Sequence, residues 1–142
     1  MKKRLIYIRY SVSTIANFRR LCYHILAMNN EVLYDLGIDI GSTTAKVVLQ
    51  RGDETVYEKY ERHNSAVREK TVAMLKDLLA RTGDVTVKAA LSGSAALGLA
   101  SEAGVAFVQE VYAEGEVVKY RESGAECVIE LGGEDAKMIF ID

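Results

Sequence analysis

The chain has 142 residues, 49% of them hydrophobic and 27% charged, with a net charge of −2 and no proline. That length suits one domain with a buried core, and the composition is ordinary for a globular protein. The total charge gives no sign of a nucleic-acid partner. The cysteines, Cys22 and Cys127, have no partner at metal-binding spacing, and without an export signal they point to a reducing, cytoplasmic setting.

Residues 1–30 differ from the rest. They hold Lys2, Lys3, Arg4, Arg9, Arg19 and Arg20 and no acid, which leaves 12 basic against 20 acidic residues, a net −8, for the remainder. Arg9 and polar neighbours break the apolar stretch at 5–15, so no run there reaches the length of a membrane span, and neither the continuous apolar stretch nor the small-residue cleavage site expected of a signal peptide stands out. Residues 14–28 fit a basic amphipathic helix with Ile15, Phe18, Leu21, Cys22, Ile25 and Leu26 on one side, a type that can lie on a membrane surface. The simpler reading takes 1–30 as an extension ahead of the folded unit, with Met28 as an alternative start, and 31–142 as the domain. The acidic body suits a protein that avoids nucleic acid and does not enter a membrane.

From residue 32 the pattern is regular. The apolar content of 32–39 predicts a strand buried on both faces; Gly41-Ser42 turn the chain, and 45–49 return as a second strand. Arg51-Gly52-Asp53 read as a hairpin turn, and the alternation over 55–60 as a third antiparallel strand. Asn64 or Ser65 is expected to cap a helix running to about residue 81, with Val67, Val72, Met74, Leu75, Leu78 and Leu79 on its core side and Gly83 stopping it. A strand at 85–91, a small-residue helix at 95–103 ended by Gly104, a strand at 105–108, a helix at 109–122 and a hairpin from 127–131 and 137–141 follow. This order predicts an α/β domain with a mixed sheet led by antiparallel hairpins. Cys127, inside an apolar run, is expected in the core. His24 and His63 have no serine–aspartate set to serve and read as incidental.

The chain repeats itself. Ile38-Asp39-Ile40-Gly41-Ser42-Thr43-Thr44-Ala45-Lys46-Val47-Val48 aligns without a gap to Ile129-Glu130-Leu131-Gly132-Gly133-Glu134-Asp135-Ala136-Lys137-Met138-Ile139. Each copy is an apolar strand carrying one acid, a glycine turn, then Ala-Lys and a second apolar run. In the first loop Gly41 lets the backbone approach an anion, Ser42, Thr43 and Thr44 add hydroxyl donors beside turn N–H groups, and Asp39 can hold Mg²⁺ through water. The second loop has more acids than donors, so only a metal–phosphate suits it; Glu130, Glu134 or Asp135 can coordinate metal or orient water. Glu110, in Val108-Gln109-Glu110-Val111-Tyr112-Ala113, stands at a strand-to-helix junction where a carboxylate can position a hydrolytic water. Ser92-Gly93-Ser94 is a second such junction. Each loop alone also reads as a plain turn, and Glu110 as an acid at a helix start; the repetition favours a clamp on a polyphosphate. No Walker A loop is present.

Together these residues resemble the actin-like ATPase superfamily, and more closely the activator ATPases of 2-hydroxyacyl-CoA dehydratases and the related benzoyl-CoA reductase ATPase subunits. The resemblance is carried by Leu36 through Lys46, the Ser92-Gly93-Ser94 loop, Phe107-Val108-Gln109-Glu110-Val111 and Ile129 through Lys137, and covers residues 32–141. It implies an actin-like, ribonuclease H-like half-domain, ATP held between two such halves, and hydrolysis that drives an electron at low potential to a dehydratase. A [4Fe-4S] cluster shared across a homodimer belongs to the same family picture. By motif match Asp39, with Glu130 and Asp135, would organise Mg²⁺; Gly41, Ser42, Thr43, Thr44, Lys46, Gly132 and Gly133 would hold ATP; Glu110 and Glu134 are the candidates for the water.

Glu130 and Glu134 depart from the Asp-x-Gly-Gly-Gln-Asp of short activators and look more like the activator-type domain of long multidomain relatives. The family's cluster cysteines lie beyond the second loop, and neither Cys22 nor Cys127 matches them. The resulting expectation is the first half of an activator ATPase, truncated at Asp142 and inactive until a C-terminal half completes it. Two alternatives stand beside it: a non-catalytic half-domain that binds a partner, and a small-metabolite kinase, for which no hydroxyl-activating aspartate or sugar site is evident.

Overall fold

The computed structural model describes residues 10–11, 33–122, 124–132 and 136–141. The helix expected at 14–28 lies outside them, as do Gly133, Glu134 and Asp135. After a two-residue strand β1 (Tyr10–Ser11) come three antiparallel strands, β2 (Tyr34–Ile40), β3 (Thr44–Arg51) and β4 (Glu54–Arg62). Helix α1 (Val67–Thr82) leads to β5 (Thr86–Ser92), which lies parallel to β2 on its other side. Helix α2 (Leu97–Ala103) and the short β6 (Ala106–Phe107), parallel to β5, complete the main sheet, whose order is β1-β5-β2-β3-β4 with β6 also on β5. Helix α3 (Glu110–Arg121) and an antiparallel ribbon of β7 (Cys127–Leu131) and β8 (Ala136–Phe140) follow.

Among the described residues the sheet is packed on one side only. Leu36, Ile38 and Ile40 of β2, Ala45, Val47 and Leu49 of β3, and Val87 and Leu91 of β5 are buried against Met74, Leu75 and Leu78 of α1 and Leu99, Ala100 and Ala103 of α2. Asp35, Gly37 and Asp39 alternate with the buried residues of β2 and face the other way. The expectation of a strand buried on both faces is therefore corrected. Strand side chains alternate with period two, and only one face has helices packed against it. Thr71, also buried, satisfies its hydroxyl by donating to the Val67 carbonyl at 2.8 Å.

Helix α1 is capped differently from expectation. Its N-cap is Ala66, with no side-chain cap, while Asn64 and Ser65 take left-handed φ values of 48° and 65° in the turn ahead of it. Gly83 (φ 73°) and Gly104 (φ 63°) end α1 and α2 as expected, since a residue without Cβ takes this conformation at no steric cost.

Helix α3 has no fully buried side chain, although Glu110, Ala113, Glu114 and Val118 are half-buried, and it runs above the open face of the sheet. Asp39, Lys46 and Ser92 of the sheet and Ala113, Glu114 and Val117 of α3 line a gap of about 420 Å³ there. The ribbon turns Val128, Glu130, Lys137 and Ile139 inward and leaves Cys127, Ile129, Leu131, Ala136, Met138 and Phe140 exposed. Cys127 is thus on the surface, not in the core. Its apolar neighbours in sequence alternate across a ribbon of only two strands, of which one side is covered.

Candidate functional site

The sequence repeat becomes a geometric one. In the first hairpin Asp39 faces Lys46 across the strands, and Lys46 Nζ donates to Asp39 Oδ2 at 2.8 Å. In the second, Glu130 faces Lys137 in the same register, and Lys137 Nζ donates to Glu130 Oε2 at 3.0 Å. Directly opposed acid–lysine pairs of this kind hold hairpin register. Lys137 also reaches Glu110 Oε2 at 2.8 Å, tying the start of α3 to the second hairpin. Its affinity for the proton is raised, first by Glu110 and then by Glu130. That of Lys46 is raised chiefly by the hydrogen bond to Asp39, with a smaller contribution from Glu130 across the gap.

The two hairpin tips face each other over a cleft of about 660 Å³. Asp39, Gly41, Ser42, Thr43, Thr44 and Lys46 form one wall, and Glu110, Glu130, Gly132 and Lys137 the other, with Tyr60, Arg62 and Ser94 also lining it. Nine of the twelve residues given a binding, metal or catalytic role from the sequence therefore meet in one place. Gly133, Glu134 and Asp135 lie outside the described residues.

The first tip is tightly organised. The Gly41 N–H donates to the Thr44 carbonyl at 3.0 Å, closing the turn, and the Ala95 N–H donates to the Ile40 carbonyl at 2.9 Å, fastening the Ser92-Gly93-Ser94 loop behind it. Asp39 Oδ1 is buried and has no hydrogen-bond partner among the described residues. An oxygen in that state suits a cation, since hard divalent ions take carboxylate oxygens. A [4Fe-4S] cluster fits less well: it needs four thiolates, and the described residues offer one cysteine, Cys127, on the outer face of the ribbon.

Three side chains near the site were given no role from the sequence, and His63, read there as incidental, is one of them. Lys137 was signalled by the repeat, which aligns it with Lys46. Glu114 stands one helical turn after Glu110, and oxygens of Glu110, Glu114 and Glu130 lie within 4.8 Å of one another. His63, which had no signal, is buried and contacts the first tip.

Glu114 carries a pH dependence. Burial, and next the negative Glu130, push its carboxyl from an ordinary 4.5 up to about 7. The folded chain then binds this proton more tightly than the unfolded chain, so the stability it confers is full below about pH 4.5 and is lost as pH rises to about 7. Glu114→Gln is expected to flatten that decline and to melt above the wild type at pH 8. Thermal melts at pH 5 and pH 8 check this; equal slopes for the two chains contradict it.

No family model matches the chain. An uncharacterized protein of Methanocaldococcus jannaschii is 32% identical over 108 residues, which cover 75% of this chain and 43% of that protein. Component A of the (R)-2-hydroxyglutaryl-CoA dehydratase of Acidaminococcus fermentans superposes with a TM-score of 0.59 at 22% identity, over 78% of this chain and 43% of its own. The ethanolamine utilization protein EutJ of Carboxydothermus hydrogenoformans gives 0.51 at 16% identity, over 82% and 49%. The chain spans less than half the length of each of these proteins. What the likeness establishes is the fold: a mixed-sheet α/β unit of the actin-like ATPase type.

Proposed function

We propose that this chain is the phosphate-binding part of an ATP-hydrolysing activator that drives low-potential electron transfer to a 2-hydroxyacyl-CoA dehydratase or related reductase. One observation carries the nucleotide part: two hairpins with the same acid–glycine–lysine frame face each other across one cleft. In this reading the turn N–H groups of the first tip and the hydroxyls of Ser42, Thr43 and Thr44 donate to phosphate oxygens, with Gly132 opposite, and the motif match gives Gly133 the same role. Asp39, Glu130 and Asp135 hold Mg²⁺, which when bound offsets phosphate charge. Lys46 and Lys137 balance the acids while the cleft is empty and are near enough to turn toward phosphate. Glu110 or Glu134 orients the attacking water.

The dehydratase part rests on the motif resemblance and on the likeness in fold to a dehydratase component. It assigns the cluster ligands and the other wall of the ATP site to a C-terminal half, and the working unit to a homodimer. The exposed outer face of the ribbon, with Ile129 64%, Leu131 80% and Phe140 74% accessible, supports such a docked half. The same face favours the second reading, a partner-binding module without catalysis, which predicts no Mg²⁺-dependent nucleotide binding.

Gly41 separates the two readings. A Cβ there meets only the Thr44 carbonyl oxygen at 3.9 Å, an ordinary contact, so the fold itself does not require glycine. Gly41→Ala is expected to leave stability within about 1 kcal/mol of the wild type while weakening Mg·ATP binding by about tenfold, because the methyl stands where a phosphate approaches. Calorimetric titration beside a thermal melt measures both, and an unchanged affinity removes the first loop from the phosphate site.

A further inference from the structure

We propose that His63 is a positioning residue for the first loop, aiming its N–H groups at the phosphate; this rests on the phosphate reading above. His63 follows directly on β4 and is 4% exposed. Its backbone N–H donates to the Thr43 carbonyl at 3.1 Å, and its ring Nε2 lies 3.1 Å from the Gly41 carbonyl oxygen. The Ser65 N–H donates to Nδ1 at 3.2 Å. A backbone N–H only donates, so Nδ1 is the acceptor and the ring hydrogen sits on Nε2, where it donates to Gly41. Both ring nitrogens are thus used, and both on backbone.

The consequence follows from the planarity of the peptide bond. In a trans peptide the C=O and the next N–H point in opposite directions. Holding the Gly41 carbonyl from behind directs the Ser42 N–H away from His63. Holding the Thr43 carbonyl does the same for the Thr44 N–H. Gly41, Ser42, Thr43 and Thr44 all line the cleft, whereas His63 does not. The left-handed φ values of Asn64 and Ser65 belong to the same device, since the turn they form brings the Ser65 N–H onto Nδ1 and fixes the ring.

A merely space-filling histidine and a positioning one respond differently to two amides. In His63→Gln the terminal amide nitrogen reaches the place of Nε2 and keeps the donor to Gly41, while the Ser65 N–H loses its acceptor. In His63→Asn the shorter side chain keeps an acceptor for Ser65 but cannot reach Gly41. The test uses the 142-residue chain, hydrogen exchange at the Gly41 amide, whose turn bond to Thr44 reports loop order, and titration with Mg·ATP. His63→Asn is expected to exchange about tenfold faster at Gly41 and to bind Mg·ATP about tenfold more weakly, while His63→Gln stays within about twofold of the wild type in both. Asparagine and wild-type chains that bind and exchange alike overturn the proposal. So does a folded His63→Gln chain that has lost Gly41 protection. Faster exchange in His63→Asn with no Mg·ATP binding by the wild type sinks the phosphate reading instead, leaving the clamp on the loop standing.

Discussion

Asp39→Asn is expected to lower the affinity for Mg·ATP by about a hundredfold or more while the chain stays folded. The separation of these effects follows from the surroundings of the side chain. Oδ2 is engaged by Lys46 at 2.8 Å, and Oδ1 is buried with no hydrogen-bond partner among the described residues. Asparagine has the same shape, so packing against the Ser92-Gly93-Ser94 loop is kept. The ion pair it replaces has side chains 44% and 28% accessible, and a pair so exposed contributes no more than about 1 kcal/mol to stability. What the substitution removes is the negative charge that a cation needs. Titration calorimetry with Mg·ATP, run beside a thermal melt, reads both effects. Wild-type affinity in a well-folded variant would exclude Asp39 from metal binding.

Gly93→Ala is expected to cost roughly 3 kcal/mol or more, enough to unfold a marginal domain. A Cβ on Gly93 comes within 2.3 Å of the Ile40 carbonyl oxygen, 2.5 Å of its carbon and 2.7 Å of Asp39 Oδ1. Two of these are backbone atoms of a central strand and cannot swing aside. The residue also has φ of 95°, which a side chain disfavours. Relief by moving the loop would break the bond from the Ala95 N–H to the Ile40 carbonyl and displace Asp39 in the same motion. Gly37 is the control: it has open space within 4 Å and no unusual φ, so Gly37→Ala is expected to shift stability by less than about 1 kcal/mol. Urea denaturation of the two variants measures the contrast, and equal midpoints for them contradict the account of the loop.

The features legible in the sequence are those fixed by near neighbours. Period-two runs, glycine turns and helix-stopping glycines set the order of strands and helices, and the gapless repeat foretold that Asp39–Lys46 and Glu130–Lys137 would occupy equivalent places. The alternation of Leu36, Ile38 and Ile40 with Asp35, Gly37 and Asp39 is the period-two signature of a strand covered on one face, and an expectation of burial on both faces overlooks it. The features that escaped depend on what packs across. Cys127 sits among apolar residues, yet its ribbon has a bare outer face. His63 gave no motif because its partners are backbone groups of residues 41 and 65, which carry no side-chain signature. The chemistry proposed for the cleft draws on the motifs, while the clamp behind it emerges only from the folded chain.

The central claim is that the cleft between the two hairpins binds the phosphates of a Mg²⁺-nucleotide. Its most direct test is a titration of the isotope-labelled 142-residue chain with ATP, with Mg²⁺ and again with chelator, followed through backbone amide resonances. The account predicts saturable shifts at residues 41–44 and at Gly132 that require Mg²⁺ and appear by millimolar ATP. Shifts that are indifferent to Mg²⁺, that fall away from the cleft, or that never appear would contradict it.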